Sequence, residues 1–97
     1  MLVQRNCVRA TAAALLAFPL VALAAPVKVA VLETLSGPAA ASGLAYRAAV
    51  RYAVDEMNAA GGWNGEPVQL LEYDNQGGPS GASDKLKAAI SDGVQIV

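Results

Sequence analysis

Val27 to Glu33 reads Val-Lys-Val-Ala-Val-Leu-Glu, a nearly unbroken apolar run with one charge near its start. β-branched valines in such a run predict a strand buried on both faces, as in a parallel sheet. After Thr34 the pattern breaks at Ser36-Gly37-Pro38, a turn signal. From Gly43 to Ala60 the rhythm becomes helical: Tyr46, Ala49, Val50, Ala53, Val54 and Met57 fall on one stripe. Ser42 is placed to cap this helix. Arg47, Arg51 and Asp55 lie on another face, where Arg51 and Asp55 are spaced to pair. Gly61-Gly62 ends the helix; with Gly62 at the left-handed C′ position, Trp63 packs back on Met57 as in a Schellman motif.

Asn64-Gly65 is a turn, and Pro67 to Tyr73 reads as a second strand closed by Asp74. Asn75-Gln76-Gly77-Gly78 is a second loop. Pro79 or Ser80 opens a second helix that runs to about Asp92, with Ala82, Leu86, Ala89 and Ile90 as its stripe. Gly93 stops it, and Val94 to Val97 begins a third strand. Alternating strands and helices predict an α/β fold, the β-α-β-α-β start of a doubly wound parallel sheet. Three strands and two helices bury little surface, and the last strand lacks a covering helix. The chain therefore reads as the front of a larger protein.

The first residues follow a different logic. Arg5 and Arg9 precede Ala10–Ala25, a stretch of 16 residues without charge that ends in small side chains. A basic start, a short apolar run and a small-x-small end predict a secretory signal peptide over residues 1–24, cleaved between Ala24 and Ala25. A spanning helix needs about 20 apolar residues, and Pro19 interrupts this run. The single cysteine, Cys7, lies in the discarded part. The remainder, residues 25–97, carries five basic and eight acidic side chains, a net −3. The expected product is exported, mildly acidic and held by its core rather than by disulfides.

Composition narrows the chemistry. There is no histidine, and without the leader no thiol, so general-base and thiol catalysis lack their usual groups. No basic cluster exists to bind a nucleic acid backbone. Gly37 and Gly43 stand alone where a dinucleotide loop needs three close glycines, so no cofactor is expected, and with no histidine and one cysteine no metal is expected either. In open parallel sheets ligands bind beyond the carboxyl ends of the strands. That edge holds the loops around Ser36, Ser42, Glu33 and Asp74. Ser36 and Ser42 are the candidate ligand contacts, with turn and cap duty as their plainer account. Glu33 and Asp74 are a candidate acid–base pair, with turn capping as the alternative.

Read together, Val27–Val31, Leu35-Ser36-Gly37-Pro38 with Gly43, the block Ala53–Gly62 containing Asn-Ala-Ala-Gly-Gly, Trp63-Asn64-Gly65, Val68–Asp74 with Pro79, and Asp92-Gly93-Val94 carry a resemblance. The chain resembles the periplasmic substrate-binding proteins of branched-chain amino acid ABC transporters, the Leu/Ile/Val-binding type. The resemblance implies two α/β lobes closing on a small ligand, with residues 25–97 as the N-terminal part of lobe one. It implies strand one between strands two and three and the first two helices on opposite faces. It implies an amino acid or similar small organic acid as ligand, a membrane permease and an ATPase as partners, and most ligand contacts beyond Val97. The position before Gly43, often large in the family, is Ser42 here, which implies a roomier or more polar pocket. The chain also lacks the cysteine that Leu/Ile/Val-binding members can carry in the second loop, and has Glu33 where the family commonly has glycine. Two other readings follow from the residues alone: an exported enzyme domain using Glu33 and Asp74, and a truncated product without function.

Overall fold

The computed structural model describes residues 25–97; the leader expected over residues 1–24 lies outside them. Four elements follow in the order β1 (Val27–Glu33), α1 (Ala40–Ala59), β2 (Val68–Asp74) and α2 (Pro79–Ser91). β1 and β2 are parallel in a register that runs from Val27 opposite Val68 to Glu33 opposite Asp74. The expected α/β march with a parallel sheet is what forms.

β1 is the central strand. It meets β2 through its odd residues: the Val27 N–H donates to Pro67 O and Glu33 O accepts from the Asn75 N–H. Its even residues face the other way, where Gln95 N–H donates to Lys28 O and Ala30 N–H donates to Ile96 O. The expected third strand is thus present as a single parallel bridge between Val29 and Ile96.

The two helices cover opposite faces, because side chains alternate along a strand. Glu72 reaches α1 through Arg51, whereas its neighbour Tyr73 donates its hydroxyl to Asp92 at the end of α2. That hydrogen bond pushes the Tyr73 phenol up to about 12, with burial and the Asp92 charge adding to it. Lys28, on the α2 face, donates from Nζ to Asp92 O at 2.8 Å. The buried hydrophobic set among the described residues is small: Ala30, Val31, Ala40, Val68 and Ala89. Each buried valine contributes roughly 1.5–3 kcal/mol, and the alanines let the helices approach the sheet closely.

The helix ends depart from the sequence reading in two places. α1 starts at Ala40 rather than Gly43, so Ser42 is inside its first turn and caps nothing; the N-cap is Ala39, without a side-chain bond. The Gly37-Pro38 turn, closed by Ala40 N–H to Gly37 O at 3.2 Å, sets the backbone early, and three alanines in succession propagate the helix from there. At the other end Gly61 takes the C′ position and Gly62 is C″. The Gly61 N–H donates to Asn58 O at 3.1 Å and the Gly62 N–H to Met57 O at 2.9 Å, the two bonds of a Schellman motif. The motif is the expected one, set one residue earlier. Trp63 then pairs with Glu66 across the Asn64-Gly65 turn, whose φ values of 50° and 81° are those of a tight hairpin turn.

The charged face of α1 also turns out differently. Arg51 does not pair along the helix with Asp55. It forms a two-pronged bond with Glu72 of β2, with Nη2 to Oε2 at 2.7 Å, and Arg47 stands 3.8 Å from the same carboxylate. A forked guanidinium matches a carboxylate across the helix–sheet gap better than a short aspartate one turn away. Tyr46, counted in the apolar stripe, is 55% exposed.

Candidate functional site

The carboxyl edge of the sheet is built from two loops, residues 34–39 after β1 and residues 75–78 after β2. Asp74 joins them. Its Oδ1 accepts from the Leu35 N–H at 3.0 Å across the loops and from the Gln76 N–H at 2.8 Å within its own turn. Asn75 repeats the arrangement one residue on: its Oδ1 accepts from the Gly77 N–H at 2.8 Å and from the Thr34 hydroxyl at 2.8 Å. These are consecutive Asx turns, in which a short side chain replaces a backbone partner two residues along. Both also reach across to the β1 loop. The edge is therefore a stapled platform rather than two independent loops.

Electrostatics agree with this role. The Ser36 hydroxyl, then the Gln76 and Leu35 N–H groups, hold the Asp74 carboxyl below its ordinary value. Glu72 is likewise held low, first by its hydrogen bond to Arg51. A carboxylate with a depressed folded pKa contributes stability above its unfolded value, and that contribution is lost as pH falls through the folded one. Asp74→Asn keeps an acceptor but not its charge. The variant is expected to be less stable than wild type near neutral pH, and the gap is expected to close below pH 3.8, the ordinary value. Urea melts of both proteins across the acid range measure the gap; a gap that persists undiminished in acid contradicts the assignment.

Glu33 and Asp74 end neighbouring strands at the same register position, on the same face. The structure thus brings the two sequence candidates together. Asp74, however, is occupied with loop N–H groups, which is the turn-capping account. Ser36 is exposed in the first loop, near enough to Asp74 to help hold that carboxyl low. Ser42 is exposed on the first turn of α1. Both serines therefore belong to the carboxyl edge. Thr34 and Asn75 were not singled out from the sequence. Asp74-Asn75-Gln76-Gly77 is an Asx-turn pattern, and it could have pointed to them.

A second feature lies away from this edge. Val27, Val29, Val50, Met57, Trp63 and Ile96 are among the residues lining an open apolar groove of about 360 Å³ between α1 and the sheet. Met57 and Trp63 both line it, although Gly62 rather than Trp63 holds the C″ position that the sequence reading gave to the tryptophan.

The profile of the periplasmic binding protein family matches residues 26–97. A Leu/Ile/Val-binding protein homolog 4 of Brucella suis biovar 1 is 63% identical over 76 residues, covering 78% of this chain and 18% of that protein. The Leu/Ile/Val-binding protein of Escherichia coli K12 is 37% identical over 82 residues, 84% of this chain and 22% of that protein. Among solved structures, a leucine-, isoleucine-, valine-, threonine- and alanine-binding protein from Brucella ovis in its closed conformation superposes with a TM-score of 0.70 at 64% identity, covering 75% of this chain and 19% of that one. The branched-chain amino acid transporter substrate-binding protein LivJ of Streptococcus pneumoniae, in complex with isoleucine, gives a TM-score of 0.66 at 31% identity, covering 72% and 20%. The chain spans about a fifth of the length of the relatives it matches.

Proposed function

Since the chain belongs to the periplasmic binding protein family, we propose that it forms part of the first lobe of a periplasmic amino acid receptor serving an ABC importer. The observation that carries the reading is the match, at 64% identity and a TM-score of 0.70, to an amino acid-binding protein. The relatives are binding proteins, and the stapled edge suits that role. Binding needs a platform whose N–H and hydroxyl groups hold still, and Asp74 and Asn75 fix both loops that form it. In this reading residues 1–24 are the export signal, and mass spectrometry of the exported product finds Ala25 as its first residue. Residues 25–97 belong to lobe one, and a permease and an ATPase are the partners.

The proposed ligand is a neutral amino acid, with Ser36 and Ser42 on the rim of its cleft. The small hydroxyl of Ser42 suits side chains from alanine and threonine to leucine. That is the range named for the Brucella ovis relative. The test is thermal melting of the exported protein with leucine, isoleucine, valine, threonine and alanine. At a hundredfold excess over Kd a bound ligand adds about 2.7 kcal/mol of stability, a clear rise in melting temperature. No shift with any of the five would overturn the proposal.

A further inference from the structure

Asn58 belongs to the Asn-Ala-Ala-Gly-Gly block, and the proposed receptor function gives it no task. Its side chain leaves the last turn of α1 and meets β2 ten residues on. Nδ2 donates to the Val68 carbonyl at 2.8 Å, and Oδ1 accepts from the Val68 N–H at 2.8 Å. One primary amide thus satisfies both main-chain groups of one residue, which is what an adjoining strand would do. The orientation of the amide is fixed by chemistry, since an N–H needs an acceptor and a carbonyl needs a donor.

The position of Val68 gives this pairing its meaning. In β2 the main-chain groups of Pro67, Gln69, Leu71, Tyr73 and Asn75 face β1, as the terminal bonds from Val27 to Pro67 and from Asn75 to Glu33 require. Those of Val68, Leu70, Glu72 and Asp74 face outward. β1 has the Gln95–Ile96 segment on its other side, so β2 is an edge strand among the described residues. The outward N–H groups of Leu70 and Glu72 meet no acceptor among those residues. Such an edge is a template for another strand unless something blocks it. Asn58 stands in the first outward position. It shares with Arg51, Asp55, Leu70 and Glu72 a polar groove of about 350 Å³ along the same edge.

We infer that Asn58 is an edge clamp: its amide fills the strand-pairing position at Val68 and keeps β2 from adding the β2 strand of a second copy of this chain. Removing it frees a run of alternate outward residues from Val68 to Asp74, long enough for an antiparallel pair of identical strands. A tie between helix and strand alone would lose stability on substitution. A clamp also changes association.

The experiment is Asn58→Ala, with solution mass followed across a wide concentration range and folding followed by circular dichroism. The expected result is a folded protein whose apparent mass rises toward twofold, where wild type stays at that of one copy. Adding Leu70→Pro is expected to restore the single-copy mass. It removes an outward N–H and leaves the β1 ladder intact, a setting in which an edge strand tolerates proline. A folded Asn58→Ala protein with the wild-type mass at every concentration overturns the inference, as does a wild type that already associates through β2. Where Asn58→Ala fails to fold, Asn58→Ser is put through the same mass measurement. A folded Asn58→Ser protein above the single-copy mass supports the clamp, and one at the wild-type mass overturns it.

Discussion

Gly43→Ala is expected to lower stability by about 1–3 kcal/mol, the range for forcing a methyl group into filled space. A Cβ at Gly43 would lie 2.1 Å from Thr34 O and 2.9 Å from Thr34 C, both backbone atoms. Helix propensity works the other way, favouring alanine over glycine by about 1 kcal/mol within a helix. The contact decides the sign, because a backbone carbonyl cannot rotate aside as a flexible side chain would. Relief requires the loop after β1 to lift from the first turn of α1. That movement pulls on the Thr34–Asn75 and Leu35–Asp74 bonds at once. The substitution is therefore also expected to weaken ligand binding, since the same loop carries Ser36. Urea unfolding measures the first effect as a lower midpoint at unchanged slope, and ligand-dependent melting measures the second. A wild-type midpoint would mean that the loop is not held against Gly43.

How far the sequence carried the fold depended on the range of the interactions. β1 was legible to the residue, because a run of valines between a proline and a turn has few other uses. Of the two elements defined by periodicity, α2 was found at its expected ends and α1 with its ends displaced. Ser42 looked like a cap by residue type, but Gly37-Pro38 had already set the backbone, and the alanines after it needed no cap to continue. The Schellman glycines were recognised and misplaced by one position, since either of two adjacent glycines satisfies the pattern. Longer-range contacts were beyond local rules. Arg51 had a partner at helical spacing in Asp55, and nothing in the linear pattern said that Glu72 would lie closer. At the candidate site, topology places the two carboxylates at neighbouring strand ends and the two serines on the segment that follows β1. Their actual work there, Asp74 binding N–H groups from both loops, depends on a contact across 39 positions of chain.

Gly62→Ala is expected to be costlier still, because two independent penalties fall on one residue. Its φ of 82° lies in the left-handed region, where a side chain costs about 1–2 kcal/mol. A Cβ there would also stand 2.0 Å from Glu66 O and 2.7 Å from Glu66 C, adding an overpacking cost of about 1–3 kcal/mol. The contact pushes apart the Trp63–Glu66 pair, whose bonds of 2.8 and 2.9 Å deliver the chain to β2. Trp63 is the single tryptophan, so its fluorescence reports directly on that displacement and on the apolar groove it shares with Met57. Gly65→Ala separates the two penalties. Gly65 has nearly the same φ, 81°, with nothing within 4 Å of the added methyl, so it should lose only the left-handed share and leave the Trp63 emission unchanged. If the two variants unfold at the same urea concentration, the close approach of Glu66 to Gly62 contributes nothing. If Gly62→Ala falls well below Gly65→Ala, the closely packed entry to β2 is what the glycine pair at the end of α1 preserves.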